Sequence, residues 1–198
     1  MSLLALLCAV VALVLLVPVR IALQRRWTGT SGVVLAGAAP GPPRTARGLM
    51  AGGTLLVGAG PLLHLAGLDG LAWEPADPFL TRATGFLLAA GGIGWTFWAQ
   101  VTMRDAWRIG QDDAERLPLV TAGPFATVRH PIYSGMVAIA LGITLLDATG
   151  PGLLGALLLS TGAIVQALRV EEPHLREVHG TAYWDWARHT GRFLPRMR

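Results

Sequence analysis

Uncharged stretches alternate with arginine-bearing ones along this chain. Five apolar runs stand out, at residues 2–19, 48–67, 83–103, 132–146 and 152–168. None shows the sustained polar/apolar alternation of a half-buried strand. A membrane-crossing helix needs about 20 apolar residues. The first three runs are long enough. The last two are shorter and read as the arms of a helical hairpin closed by "DATGPG", 147–152. Backbone polar groups in hydrocarbon must pair within their own segment, so helices are the expected form. The fold class predicted is an all-α integral membrane protein of about five transmembrane helices, with a C-terminal helical hairpin and an amphipathic cytoplasmic tail.

The first run differs from a cleaved signal peptide. No basic residue precedes it, since Met1-Ser2 leads straight into leucine, and the first arginine, Arg20, follows it. No small-x-small cleavage site stands out. It is read as a retained helix.

Charge sets the orientation. All 16 basic residues are arginines. If five helices alternate across the membrane, fifteen of the sixteen fall on one side, in segments 20–47, 104–131 and 169–198. Only Arg82 lies on the other, beside Asp69, Glu74 and Asp77. Positive charge concentrates on the cytoplasmic side. The N-terminus is therefore expected outside and the C-terminus in the cytoplasm.

Composition agrees. The 198 residues are 53% hydrophobic and 14% charged, with a mean hydropathy of +0.51, against roughly 25% charged in soluble domains. The arginines are dispersed between apolar runs, which argues against a nucleic-acid partner despite the net charge of +4. The single cysteine, Cys8, permits no intrachain disulfide. It lies in an apolar run far from the polar segments and makes a poor nucleophile. No histidine–carboxylate spacing forms a zinc signature, so no metal is expected, and no Rossmann or P-loop glycine pattern occurs.

The polar segments differ in character. Residues 29–48 are rich in Gly, Pro and small side chains and read as a flexible connector. Segment 104–131, "RDAWRIGQDDAERLPLVTAGPFATVRHP", mixes charge, glycine and aromatics, with a turn signal at Gly123-Pro124. In the tail, 169–198, Leu175, Val178, Ala182 and Trp186 recur at helical spacing, which suits an amphipathic helix on the membrane surface or over the bundle. Gly180 can kink or divide it. Tyr183, Trp184 and Trp186 suit an interface. His64, inside the second run, reads best as a hydrogen-bond partner for another helix.

Two polar sets flank the last hairpin: Arg129 and His130 at its entrance, and Arg169, Glu171 and Glu172 at its exit. A hairpin brings its ends together, so these groups should be neighbours. Adjacent glutamates on a helix point in different directions, so one is expected inward and the other toward solvent or Arg169. Ionisable groups at the edge of hydrocarbon are costly unless paired or used. Each has an ordinary reading alone: a positive-inside arginine, a junction histidine, a first-turn proline at Pro131, and a solvated helix start.

Together they are more specific. "RHPIYSG" at 129–135, followed by "EEPHLREVHGTAYWDWARHTGRFLP" at 171–195, resembles the isoprenylcysteine carboxyl methyltransferase family, within a wider group that includes phospholipid methyltransferases. Arg129, His130, Pro131, Tyr133 and Gly135 match the first motif. Glu171, Glu172, Leu175, Gly180, Tyr183, Arg192 and Pro195 match the second. "LVTAGPF", 119–125, and "RDAWRIG", 104–110, resemble the approach to the first motif. The resemblance covers about 95 residues, 104–198; Trp186 and His179 depart from it.

The resemblance implies a methyltransferase that holds S-adenosylmethionine between the hairpin and the tail, and a lipophilic acceptor entering from the bilayer. Residues 1–103 would be an N-terminal three-helix membrane region and 104–198 the cofactor-binding catalytic region. It implies a cofactor site of His130, Pro131, Tyr133, Gly135, Glu171, Glu172 and Tyr183. Arg129, Glu172 and Arg192 are the candidate catalytic groups, with the two arginines facing an acidic acceptor or the cofactor's carboxylate. Tyr183 and Trp186 would close the pocket. A carboxylate acceptor such as an isoprenylcysteine-like group needs no general base, whereas a phospholipid amine or a small thiol does. A membrane reductase and a non-enzymatic membrane protein are the remaining alternatives.

Overall fold

The structure is a computed structural model and describes residues 1–34, 41–110 and 116–196. The middle of the expected connector, 35–40, and the last arginine, Arg198, lie outside the described residues.

The protein is all-α, and among the described residues the only β pairing is three isolated bridges. Helix α1 (Ser2–Val14) passes through a π-helical turn (15–19) into α2 (Arg20–Thr28), giving one 27-residue rod. Pro18 lies inside the π turn. A proline has no N–H to donate and crowds the preceding turn, and a π bulge accommodates both. Then come α3 (Pro42–Leu65), α4 (Pro78–Met103) and α5 (Pro131–Asp147). Helix α6 (Gly150–Gln166) runs through a second π turn (167–171) into α7 (Glu172–His189), a 40-residue stretch broken only by a kink at Gly180. Pro173 follows this second π turn one residue later, as the second residue of α7.

Among the described residues three helices are long and apolar enough to cross a membrane: Ser2–Thr28, Pro42–Leu65 and Gly150–His189. The protein is thus an integral membrane protein. This set differs from the sequence expectation at two places. The fifth run is short, yet its helix does not stop at Arg169 but passes through the π turn into α7. The third run forms α4, whose 26 residues include glycines, tryptophans and Gln100; these lower its hydropathy.

Two helix pairs form the body: α3 lies along α6, and α4 along α5. Both seams are lined by glycines seven residues apart. A Cβ on Gly155 would sit 2.7 Å from Gly53 O and Val57 N, and one on Gly162 would sit 2.9 Å from Ala46 O. Across the other seam, a Cβ on Gly85 would meet Gly142 O, and one on Gly92 would meet Gly135 O, both at 2.8 Å. Lipid tails are as apolar as leucine, so helices associate in the bilayer by close packing, and small residues permit it. Helix α1 contributes a narrow small-residue face, Ala5, Cys8 and Ala12, and the π turn adds Leu16, to the shared core with Val57, Ile139, Ile143 and Leu159. Leu3, Leu7, Val10 and Leu13 face outward.

Arg20 fastens α2 to the end of α4. Fully buried, it donates to Gln100 O at 3.2 and 3.1 Å and to Arg104 O at 3.1 Å, with its guanidinium 4.4 Å from the Trp107 ring centroid. A cation suits the negative end of a helix. The start of the connector is anchored, contrary to its reading as wholly flexible: Ile109 N donates to Gly32 O and Val34 N to Ile109 O, both at 2.8 Å. Gly32 has φ +68°, and a Cβ there would lie about 3 Å from Trp107.

Gly155→Val is expected to destabilise the protein by roughly 1–3 kcal/mol through overpacking. Gly58→Ala, where a Cβ meets nothing within 4 Å, should be neutral or mildly stabilising. Thermal unfolding in detergent compares them. Equal melting temperatures for the two variants would contradict the seam.

Candidate active site

The two polar sets meet at one end of the bundle. Pro131 opens α5, with His130 as its N-cap residue, where a missing N–H costs nothing. Across from it, the π turn before Pro173 presents consecutive glutamates to the same ring. His130 Nδ1 lies 3.3 Å from Glu171 and its Nε2 lies 3.4 Å from Glu172. Tyr133 donates its hydroxyl to Glu171. One glutamate is expected inward and the other toward solvent or Arg169; Glu172 is the inward one and Glu171 the one nearer solvent, but both also reach the same histidine. Glu172 is fully buried, while the Glu171 side chain is one-third exposed.

Glu172 is the hub. Arg192 donates to both its oxygens, at 2.7 and 3.1 Å, and Arg176 donates at 2.8 Å. Arg129 Nε stands 3.6 Å away. The Arg129 Nη1 group instead donates to the carbonyls of Ala187 and Thr190, both at 2.8 Å, so Arg129 ties down the end of α7. Its Nε and that of Arg176 are buried without a hydrogen-bond partner.

The chain after α7 folds back and pairs with the entrance segment. Arg129 N donates to Gly191 O at 2.8 Å, His130 N to Arg192 O at 3.0 Å, and Gly191 N to Thr127 O at 3.0 Å. Ser134 donates to Phe193 O, and the Phe193 ring lies 5.7 Å from that of His130. Gly180, at φ +51° and ψ −122°, breaks the regularity of α7, as its sequence position suggested.

A cavity of about 220 Å³ opens here, lined by Arg129, Glu172, Arg176, Tyr183, Trp184, Ala187, Arg188, Arg192 and Arg196. Of the sequence candidates, Arg129, Glu172, Tyr183 and Arg192 line it. His130, Tyr133 and Glu171 back Glu172 from behind. Gly135 lies elsewhere, against Gly92 and Thr96 in the α4–α5 seam. Trp186 holds α7 down by donating to Phe125 O at 2.8 Å, and Trp184 takes the expected place in the wall. None of these lining residues belongs to an apolar run, so the cavity walls include no path from the lipid. Arg176 escaped the sequence reading, although its i,i+4 spacing from Glu172 signals the pair.

Burial opposes protonation of His130, but the hydrogen bonds and charges of Glu171 and Glu172 outweigh it and raise its pKa above the usual histidine value. The hydrogen bond to Glu172 likewise raises the pKa of Arg192. The donor set fits S-adenosylmethionine: a carboxylate for its cationic amino group and guanidinium groups for its carboxylate.

These features define an all-helical membrane protein with a polar, arginine-rich site at one end of its bundle. Residues 80–182 match the phospholipid methyltransferase family, just over half of the chain, and the chain belongs to that family. It is a membrane methyltransferase that uses S-adenosylmethionine on a lipophilic acceptor. The match spans Arg129 to Glu172 and carries this broader assignment, not the narrower isoprenylcysteine one. No curated protein matches the chain.

Glu172→Ala leaves Arg192 and Arg176 facing a void and is expected to cost about 3 kcal/mol, since removing one partner strands the others; Glu172→Gln should cost less. Thermal unfolding at pH 7 decides, and a Glu172→Ala protein as stable as the parent would contradict the hub. His130 has a separate signature. Its raised pKa stabilises the fold fully below the usual 6.5, and that contribution fades as pH rises through the folded value. Stability above about pH 6.5 should therefore decline in the parent, and this component of the decline should be absent in His130→Gln. Parallel pH profiles would refute the bridge.

Proposed function

We propose that the protein transfers the methyl group of S-adenosylmethionine to a carboxylate on a lipophilic acceptor, such as an isoprenylcysteine-like group. The charge of the cavity carries this reading: five arginines, Arg129, Arg176, Arg188, Arg192 and Arg196, accompany one buried carboxylate. Guanidinium groups suit carboxylates in geometry and charge. An ionised acceptor needs no proton removed, and no unpaired base lines the cavity.

The cofactor supplies an electrophilic methyl on a sulfonium whose leaving group departs neutral. The protein's work is alignment and exclusion of water. In this reading Arg192 and Arg129 orient the acceptor or the cofactor's carboxylate. Glu172 holds the amino group, Glu171 supports it through His130, Tyr133 fixes Glu171, and Tyr183 closes the wall. Pro131 sets the start of α5, and Gly135 lets it approach α4. Excess stabilisation of the sulfonium by Glu172 would slow its loss of charge, and the arginines around Glu172 temper that. Residues 104–198 hold the cofactor, and residues 1–103 supply membrane scaffold. Five helices cross the bilayer with the N-terminus outside, so the site opens to the cytoplasm.

A second reading, methylation of a phospholipid amine, is favoured by the family matched. It requires a base, and Glu171 is the candidate, part-exposed and hydrogen-bonded by Tyr133.

The test is calorimetric binding of S-adenosylmethionine in detergent, followed by labelled methyl transfer to lipid acids, amines and thiols. His130→Ala and Glu172→Gln are each expected to weaken cofactor binding about tenfold or more, the loss of one charge-assisted hydrogen bond. The transferred label should be released by alkali, as from an ester. Undiminished binding in both variants overturns the site, and alkali-stable label on an amine selects the second reading.

A further inference from the structure

Glu172 lines the arginine-rich cavity, yet its side chain is only 1% exposed. Its two oxygens are covered by a full set of donors. Oε1 accepts from Arg192 Nε at 2.7 Å and has His130 Nε2 at 3.4 Å. Oε2 accepts from Arg192 Nη2 at 3.1 Å and from Arg176 Nη2 at 2.8 Å. A carboxylate offers about four lone-pair sites. The cation of an incoming ligand therefore reaches Glu172 only by taking the place of one of these donors.

Most of the groups around Glu172 are held from elsewhere as well. His130 reaches Glu171 with its other nitrogen and packs near the rings of Tyr133 and Phe193, at 5.9 and 5.7 Å between centroids. Arg129 is tied by Nη1 to the carbonyls of Ala187 and Thr190. Arg192 grips both oxygens, and its own carbonyl accepts from His130 N. Arg176 differs. A single hydrogen bond joins it to Glu172, its side chain is 39% exposed, and its Nε has no partner. It also has a second place to rest. Its guanidinium carbon lies 5.1 Å from the ring centroid of Trp184 and 5.8 Å from that of Tyr183, and Trp184 is half exposed. A guanidinium over an aromatic face keeps a favourable contact after an ion pair is released. Residues four apart on a helix share a face, so side-chain torsions alone separate Arg176 from Glu172.

We propose that Arg176 is a displaceable stand-in for the ligand's ammonium group, an autoinhibitory contact built into the cofactor site. Before binding, its guanidinium completes the donor set of a buried carboxylate that would be costly to leave underpaired. On binding, the ligand's amino group takes over at Oε2 and Arg176 withdraws onto the Trp184 face. One cation replaces another, so affinity reflects the difference between two contacts and not the full strength of either. Tight binding of the ground state is thereby held back, which favours the chemical step. The ligand's carboxylate does not need Arg176, because Arg129, Arg188, Arg192 and Arg196 also line the cavity. Only ligands that carry an amino group gain from the exchange. The proposal rests on the assignment of Glu172 to the amino group of S-adenosylmethionine.

Calorimetry on the full chain in detergent compares three ligands. S-adenosylhomocysteine has the amino and carboxylate groups, its decarboxylated analogue has the amino group alone, and methylthioadenosine has neither. Arg176→Met keeps an unbranched stem and removes the competitor. It should bind the first two roughly three- to tenfold more tightly than the parent, the scale of a part-exposed charged contact, with methylthioadenosine unchanged. Arg176→Gln should shift affinity in the same direction and guards against an Arg176→Met protein that fails to fold. Arg176→Lys retains a cation four residues from Glu172 and should stay within about twofold of the parent for all three ligands. Unchanged binding of S-adenosylhomocysteine in the neutral variants overturns the proposal. Weakened binding does so too, because it makes Arg176 a partner of the ligand's carboxylate. Equal tightening of methylthioadenosine also overturns it, since that reports a loosened cavity. Failure of parent and variants alike to bind S-adenosylhomocysteine counts against the methyl-transfer site itself and removes the proposal with it.

Discussion

One buried carboxylate organises the functional end of this protein. Glu172 is fully removed from solvent and receives hydrogen bonds from Arg192 and Arg176, with His130 at 3.4 Å and Arg129 at 3.6 Å. Taking a charge out of water costs several kcal/mol and is tolerable only with good geometry and further hydrogen bonds. That demand explains why so many elements converge here. The segment entering α5 contributes Arg129 and His130, α7 contributes Arg176 and the returning tail Arg192, and each is held in place by what it contributes. The backbone pairing of 127–130 with 191–192 is the scaffold that lets Arg192 reach across.

Elsewhere the bundle relies on close approach. The paired glycines Gly53 and Gly155, and Gly92 and Gly135, bring helix backbones together where a side chain would collide with a main-chain atom. Such seams are rigid in register, because sliding a helix moves a larger residue into the gap. The α4–α5 seam therefore does more than hold two helices together. By fixing Gly135 against Gly92, it fixes the height of His130, one turn earlier, relative to the rest of the membrane body. Motif glycine and motif histidine are linked mechanically rather than by sharing a ligand.

The sequence made the helices legible because their apolar runs are long and unbroken, and it made the meeting of 129–133 with 171–172 legible because a hairpin must return. It did not reveal the continuity of α6 and α7, since a change in composition at Arg169 looks like a boundary when only apolar residues are counted. Nor did it reveal that both glutamates share one histidine. That arrangement needs the π turn, whose cause, Pro173, stands in plain view but acts on backbone geometry that no periodicity captures. Asp147 is hidden for a similar reason: it is the last residue of α5, and its importance comes from His64, which the fold brings to it. The sequence suggested a helix-bonding role for His64 but not its partner.

Both polar clusters sit at the ends of α5, and the length of that helix makes them affordable. Seventeen residues span about 25 Å, less than the roughly 30 Å of hydrocarbon in a typical bilayer. Short helices are accommodated by local thinning and by polar groups reaching toward the interfaces. His130 at one end and Asp147 at the other therefore need not sit deep in hydrocarbon, where an ionisable group costs most. A longer α5 would bury one cluster or expel the other. The shortness of the fourth apolar run thus lets a single helix carry an ionisable group at each of its ends.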